Sequence, residues 1–160
     1  MSTERFAHLF QESFARHGEL GASVCVWKQG KQWLSLADGW RDREETQPWT
    51  AATPVLFWSA TKGLTAACVL HVLQERALDP NITRVAEVWP DFAKNGKERV
   101  TIAQLMSHQA GLSALSNPVP VWDYELVIQA LAAEPPHWPP GEGHGYHPRT
   151  FGFLMDELVR

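Results

Sequence analysis

Apolar side chains at the start of the chain recur every three or four positions, which is the spacing of one helix face. These positions are Phe6, Leu9, Phe10 and Phe14. The spacing predicts an amphipathic helix over residues 3–17, and Ser2 or Thr3 can cap its first turn.

A β-hairpin follows this helix in the pattern. Residues 22–27 form a short, β-branched run, and residues 32–37 alternate in polarity. Gln29-Gly30 supplies a turn between them. The segment 38–54 mixes charges with glycine and proline, so it reads as a solvated connection whose charges face water.

Helical spacing returns after this connection. It predicts a long helix that begins close to Ser59 and stops before Asp79-Pro80-Asn81. Along it, Leu64, Ala67, Cys68 and His71 recur at helical spacing. Three more helices are predicted at Thr101–Ser107, at Asp123–Glu134 and from residue 150 to the end. In the Asp123–Glu134 helix the residues expected to face inward are Leu126, Val127, Ala130 and Leu131.

Composition places the chain among ordinary globular proteins. It has 160 residues, 44% of them hydrophobic and 20% charged, and a net charge of −4, which suits one domain or a large part of one. The mild acidity disfavours nucleic acid as a partner. Apolar runs are too short to cross a membrane, and charges interrupt the first ten residues, so we expect no signal peptide and a cytoplasmic location.

Neither the cysteines nor the histidines suggest a metal. Cys25 and Cys68 lie in apolar runs, which predicts reduced thiols packed in the core. His137, His144 and His147 share a loop rich in proline and glycine, and no cysteine or carboxylate pair completes a ligand set. We therefore expect no metal and no organic cofactor.

The tetrad Ser59-Ala60-Thr61-Lys62 is the candidate for nucleophilic chemistry. Residues three apart on a helix are neighbours, so Lys62 would lie beside the Ser59 hydroxyl. A free serine is a weak nucleophile and a free lysine is protonated at neutral pH, so the site must change their ionisation. In the alternative interpretation, Ser59 caps the helix and Lys62 points to water.

Two later segments favour the catalytic interpretation. Residues 105–112 read LMSHQAGL, and residues 140–146 read PGEGHGY before another helix. In this order the three motifs resemble the serine β-lactamase-related hydrolases, which include class C β-lactamases, D-alanyl-D-alanine carboxypeptidases and esterases. The resemblance extends from the hairpin to Arg160.

The resemblance implies a role for each motif. Ser59 would be the acylated nucleophile, Lys62 would share its proton, and Tyr146 would be the tyrosine of the family's Tyr-x-Asn motif. Whether Lys62 or Tyr146 is the base stays open, because coupled groups titrate as a unit. His108 would be structural. The implied fold is α+β, with helices packed on an antiparallel sheet as in β-lactamases and transpeptidases.

Two departures from the family pattern change these expectations. Pro148 stands where the motif has asparagine, which weakens a β-lactamase assignment and favours a carboxylesterase. His147, beside it, is expected at the surface or in a supporting position. No Lys-Thr-Gly or His-x-Gly segment follows Tyr146 to complete the oxyanion hole.

The second departure suggests that residues 1–160 are the N-terminal part of one hydrolase domain, incomplete at the C-terminus and inactive alone. A naturally short protein is the alternative.

The predicted function is cleavage of a small-molecule ester through an acyl-serine. A β-lactamase or D-alanyl-D-alanine carboxypeptidase, and a non-catalytic binding module, are the rivals. Trp58, Trp122 and Trp138 flank the motifs and are candidates for the acyl pocket. The oligomeric state stays open.

Overall fold

The computed structural model describes residues 2–160. The described chain divides into two compact units, of which the first ends at Leu56 and the second is Phe57–Arg160. The first unit contains a helix and a hairpin, and the second contains the remaining helices. The fold is therefore α+β, as the family resemblance implies.

The first unit begins with helix α1, Thr3–His17. The Ser2 hydroxyl accepts a hydrogen bond from the Arg5 backbone N–H at 3.4 Å, and Gly18 ends the helix in the left-handed region at φ 67°. Both ends follow from residue type, because serine satisfies free N–H groups and glycine tolerates positive φ. The predicted helix is confirmed.

Strands β1, Gly21–Lys28, and β2, Lys31–Gly39, pair antiparallel. Gln29 and Gly30 connect them with φ of 52° and 73°, the positive pair that a tight hairpin turn requires. The predicted hairpin is confirmed. The Trp33 ring on β2 meets the Phe6 ring of α1 edge-on at 5.5 Å between centroids, so the helix lies against this strand.

The second unit is helical. A 3₁₀ turn, Trp58–Ala60, runs directly into helix α2, Thr61–Glu75. The helices that follow are α3, Val85–Val88; α4, Ile102–Met106; α5, Tyr124–Ala133; and α6, Thr150–Val159. A second 3₁₀ turn, Pro90–Phe92, lies between α3 and α4. α6 packs against both α2 and α5, so it connects the first helix of this unit with the helix that precedes α6 in the chain.

Side-chain caps place the starts of α4 and α5 where the sequence predicts them. Thr101 accepts a hydrogen bond from the Gln104 N–H, and the Gln104 side chain accepts one from the Thr101 N–H. The Asp123 carboxylate accepts from the Leu126 N–H at 3.1 Å. Each cap satisfies a backbone donor that the first helical turn leaves free. Both helices are confirmed.

The buried face of α5 differs in part from the expected one. Its buried residues are Val127, Ile128, Leu131 and Ala132. Leu126 is 38% exposed, so its expected inward position is wrong. Nearly all of α5 is apolar, and spacing alone does not select one side of such a helix.

Helix α2 and the cysteines also depart from expectation. α2 buries Val69 and Leu73, whereas Leu64 is 66% exposed. Cys25 and Cys68 are both exposed, so their expected burial in the core is wrong. An apolar local sequence shows that a thiol can be buried, but tertiary packing decides whether it is. None of the helices over residues 2–160 combines the length and hydropathy needed to cross a bilayer.

Candidate active site

Ser59 lies on the sharp turn that leads into α2. Its predecessor Trp58 has φ 47°, a left-handed conformation that is strained for a bulky side chain and costs on the order of 1–3 kcal/mol. Ser59 itself is exposed, and within the described residues no side chain caps α2. The turn thus presents the Ser59 hydroxyl at the helix N-terminus, and the interpretation of Ser59 as a helix cap is wrong.

Lys62 lies one helical turn beyond Ser59, and its ammonium is bound on two sides. Its Nζ donates to Ser59 Oγ at 3.2 Å and to the Pro148 carbonyl oxygen at 2.8 Å. The proximity that the tetrad spacing predicts is confirmed, and Lys62 does not simply point to water. The second bond ties α2 to the segment that enters α6.

Tyr146 completes the cluster. Lys62 Nζ lies 5.0 Å from the centre of the Tyr146 ring, close enough for a cation–π contact. Hydrogen bonding with Ser59 is the largest cause that lowers the pKa of the Tyr146 phenol. Hydrogen bonding with Lys62 and the positive charge of that lysine lower it further. The structure therefore brings together Ser59, Lys62 and Tyr146, three side chains that can exchange a proton.

Two histidines, His108 and His147, lie next to this cluster. The His108 ring lies 5.0 Å from the Tyr146 ring and 5.1 Å from the Phe151 ring, between centroids. His147 is fully buried, so its expected surface position is wrong, whereas a supporting position agrees with the structure. Burial is the main cause that lowers the pKa of both imidazoles.

The three tryptophans that the sequence suggests for the acyl pocket occupy different surroundings. Trp58 is 82% exposed and Trp122 is 85% exposed. Trp138 is half-buried and packs on Gly143 and Gly145, where any larger residue would collide with its indole. The Trp138 Nε1 is buried with no hydrogen-bond partner among the described residues.

An apolar cavity of about 290 Å³ lies beside the cluster. Its wall includes Pro148, whose carbonyl binds Lys62. The other lining residues are Ser113, Ala114, Leu115, Pro118, Val119, Val121, Val127, Arg149, Thr150 and Phe153. None of the three tryptophans is among them. Sequence reasoning missed this cavity because its walls come from three separate segments.

Metal binding finds no support in the histidine loop. Within the part of the chain that the structure describes, no group of three or more His, Cys, Asp or Glu side chains is placed to hold a metal ion. Both ring nitrogens of His147 already lie on backbone groups, those of Leu112 and Gly145.

Known proteins resemble this chain in sequence and in fold. The chain is 39% identical over 142 residues to the esterase/beta-lactamase LipL of Mycobacterium tuberculosis, covering 88% of this chain and 33% of LipL. The crystal structure of a family VIII carboxylesterase matches with a TM-score of 0.89 and 36% identity, covering 99% of this chain and 43% of that one. A penicillin-binding protein homologue from Caulobacter crescentus has the same score and identity, with coverage of 96% and 42%.

These relatives share the fold that the motifs imply, and this chain spans about a third of the length of LipL and under half of the two solved structures. The family model described as Beta-lactamase matches residues 6–160, which extends across both units. The chain therefore belongs to the Beta-lactamase family.

Proposed function

We propose that the protein hydrolyses small-molecule esters through an acyl-serine intermediate on Ser59. The observation that carries the proposal is the Lys62 ammonium, which bonds to Ser59 Oγ and the Pro148 carbonyl while lying over the Tyr146 ring. A serine whose hydroxyl lies within reach of two proton carriers has the arrangement of an activated nucleophile.

In the acylation step, Tyr146 accepts the Ser59 proton as Oγ attacks the ester carbonyl. The lowered pKa of the Tyr146 phenol favours its phenolate form, and Lys62 Nζ lies within hydrogen-bond distance of Ser59 Oγ, at 3.2 Å. This arrangement supports the tyrosine as base and the ammonium as its electrostatic partner. Tyr146 then returns the proton to the departing alcohol oxygen, which leaves the acyl group on Ser59.

Deacylation repeats these proton transfers with water as the nucleophile and Ser59 as the leaving group. Water attacks the acyl carbonyl and gives its proton to Tyr146, and Ser59 regains a proton from Tyr146 when the acid leaves. The exposed position of Ser59 supports the entry of water. No cofactor takes part in either step.

The acyl chain has a candidate site in the apolar cavity beside Pro148. One wall of that cavity carries the carbonyl that binds Lys62, so the cavity borders the reacting groups. Its volume of about 290 Å³ and its leucine, valine and phenylalanine walls suit an uncharged carbon chain. Trp58, which precedes Ser59, and Trp122, which follows the cavity residue Val121, are both exposed. They stay candidates for contact with the substrate.

Cleavage of β-lactams is the second candidate, because the relative LipL is named an esterase/beta-lactamase. Pro148 supports the ester. It offers no side-chain amide to an acylamino substrate, and its carbonyl is already bonded to Lys62. A comparison of p-nitrophenyl acetate with nitrocefin separates the two, and faster turnover of nitrocefin would favour the β-lactam.

Labelling of the nucleophile tests the main proposal. A fluorophosphonate should attach to Ser59, as read by peptide mass mapping, and Ser59→Ala should abolish the adduct. Ser13→Ala in α1 is a matched control that should leave labelling unchanged. A folded chain that also supplies the oxyanion-hole segment expected after Tyr146, and that still never acquires an adduct at Ser59, would instead support a non-catalytic binding module.

We also propose that residues 1–160 are the N-terminal part of one hydrolase domain and turn over slowly or not at all without a further oxyanion donor. The first statement is supported by the coverage of only 33% of LipL and of 43% and 42% of the two solved structures. The loss of one oxyanion donor costs about 10²- to 10³-fold in rate, which supports the second. Turnover by the 160 residues equal to that of a complete family esterase would contradict it. A cytoplasmic location stays a prediction.

A further inference from the structure

The buried imidazole of His147 is bound at both ring nitrogens by backbone groups. Its Nε2 lies 3.0 Å from the Leu112 N–H, and its Nδ1 lies 2.6 Å from the Gly145 carbonyl oxygen. A backbone N–H can only donate, so Nε2 accepts and carries no proton. The proton of a neutral ring is then on Nδ1, where it donates to the Gly145 carbonyl.

The neighbouring imidazole of His108 is oriented in a related way. Its Nδ1 accepts a hydrogen bond from the His147 N–H at 3.2 Å, so this nitrogen also carries no proton. The His108 carbonyl accepts from the Gly145 N–H at 3.2 Å. His108 adopts φ 63°, a left-handed conformation that costs free energy and is held by these surrounding contacts.

These bonds join two segments, residues 108–112 and residues 145–150. Thr150 Oγ1 adds a bond to the Leu112 carbonyl at 2.6 Å, so both backbone groups of Leu112 are bound by the second segment. That second segment carries Tyr146 and also Pro148, the acceptor for Lys62. The relative position of the two segments therefore sets where the phenol and the Lys62 acceptor lie.

We propose that His108 and His147 form an imidazole latch that, while both rings are neutral, positions Tyr146 and the Pro148 carbonyl against Lys62, and that acid opens it. The importance of the latch for catalysis rests on the proposed function, in which Tyr146 and Lys62 move the Ser59 proton. The latch itself is a statement about tautomers and backbone bonds, and it holds or fails without any catalytic activity.

Protonation opens the latch because it turns acceptors into donors. A proton on His147 Nε2 would face the Leu112 N–H, and a proton on His108 Nδ1 would face the His147 N–H. Neither pair can form a hydrogen bond. His147 is fully buried, so each of its groups left without a partner is costly, whereas the cost is smaller at the half-buried His108.

The charged groups around the latch do not all act in the same direction. The titratable side chains that face His147 are His108, His144 and His137, and those that face His108 are His144, Lys62 and the Tyr146 phenol. A Tyr146 phenolate would favour a positive charge on His108. The histidines and Lys62 are neutral or positive, so each of them disfavours one. Together with burial they outweigh the hydrogen bond to Gly145, and they hold the pKa of both rings below the ordinary histidine value.

The sign of the pH dependence follows from these directions. A ring whose pKa is lower in the folded protein binds fewer protons there than in the unfolded chain. Its contribution to stability is complete above the ordinary histidine pKa of about 6.5 and is lost as the pH falls through the lower folded value. The latch is therefore closed at neutral pH and opens in acid.

Nitrogen NMR of the histidine rings tests the latch directly. Long-range ¹H–¹⁵N spectra should show His147 as the Nδ1–H tautomer and His108 as the Nε2–H tautomer, with both midpoints below the ordinary histidine pKa of about 6.5. His147→Gln identifies the His147 signals by their loss. An Nε2–H tautomer at His147, or a midpoint at or above the ordinary histidine pKa, would overturn the proposal.

Two substitutions test the consequence for the site. The Gln side chain in His147→Gln can still accept from the Leu112 N–H but does not titrate, so Ser59 labelling should persist and its loss in acid should diminish. His147→Phe removes the acceptor and should slow labelling by about 10²-fold, as expected for a misplaced catalytic group. His71→Gln, on the exposed side of α2, is the control and should change neither.

The outcomes separate the latch from the proposed function. If Ser59 is never labelled in a chain that also supplies the oxyanion-hole segment, while the NMR tautomers are as stated, the proposed function fails and the latch stands. If Ser59 is labelled and His147→Phe, folded by circular dichroism, labels at the wild-type rate with the wild-type pH profile, the latch has no positioning role and the inference fails.

Discussion

Lys62 is the residue through which the candidate site is connected. Its ammonium bonds to Ser59 and Pro148 and lies over Tyr146, so one side chain contacts three others. We expect Lys62→Met, which keeps the length of the side chain and removes its charge, to slow fluorophosphonate labelling of Ser59 by about 10²- to 10⁴-fold. Lys28→Met, at the exposed end of β1, should leave the rate unchanged. A rate within a few-fold of wild type would remove Lys62 from the chemistry.

The pKa values of the two tyrosines should be shifted in opposite directions from the ordinary value. Ser59 and Lys62 lower the pKa of Tyr146, whereas burial and the carboxylates of Asp156 and Glu157 raise the pKa of Tyr124. An ultraviolet titration should therefore show one phenolate forming below the ordinary tyrosine pKa of about 10 and one above it.

Single variants assign these two transitions. Tyr146→Phe should remove the early transition and Tyr124→Phe the late one. Lys62→Met should shift the early transition upward, because the loss of the nearby positive charge destabilises the phenolate. An early transition that survives in Tyr146→Phe would show that the site does not activate this phenol.

At the scale of single elements, the end of α5 depends on a buried lysine. Lys97 is fully buried, and its Nζ donates to the carbonyl oxygens of Ala132 and Glu134 in the last turn. Asn95 adds a bond from Nδ2 to the Ala133 carbonyl at 2.6 Å. These donors satisfy carbonyls that the helix leaves free, and the positive charge suits the negative end of the helix dipole.

Removal of this cap should destabilise the second unit. Lys97→Met keeps most of the volume but leaves buried carbonyls without donors, so we expect a loss of about 1–3 kcal/mol in the free energy of unfolding. Lys94→Met is the control, since its exposed ion pair with Asp91 contributes about 0–1 kcal/mol. Urea denaturation followed by circular dichroism measures both. Equal stabilities of the two variants would contradict a role for Lys97 in capping.

Elements with local signals were predictable from the sequence, and contacts between distant segments were not. Three helix starts are indicated by capping residues, namely Ser2, Thr101 and Asp123. The spacing of Ser59 and Lys62 predicts their contact. In the sequence, Pro148 stands out because it replaces the asparagine of the family motif. In the structure, its backbone carbonyl binds Lys62. No residue type signals a carbonyl contact, because every residue has one.

The same distinction explains His147 and the buried face of α5. The burial of His147 results from bonds to Leu112, a residue 35 positions earlier in the chain. Its place between Tyr146 and Pro148 was a signal that it lies near the site, but not that it is enclosed. For α5, an apolar sequence around most of the helix left the inward side to be decided by packing against α6.

At the scale of the whole molecule, the large core cluster lies in the second unit, and within the described residues Leu34 is the buried apolar side chain of the first. Each unit carries one exposed thiol, Cys25 on β1 and Cys68 on α2. We therefore expect both thiols to react rapidly with a disulfide reagent in the native protein, and Cys25→Ser and Cys68→Ser should each remove one equivalent. Thiols that react only after denaturation would restore the packed interpretation that their apolar neighbours in the sequence favour.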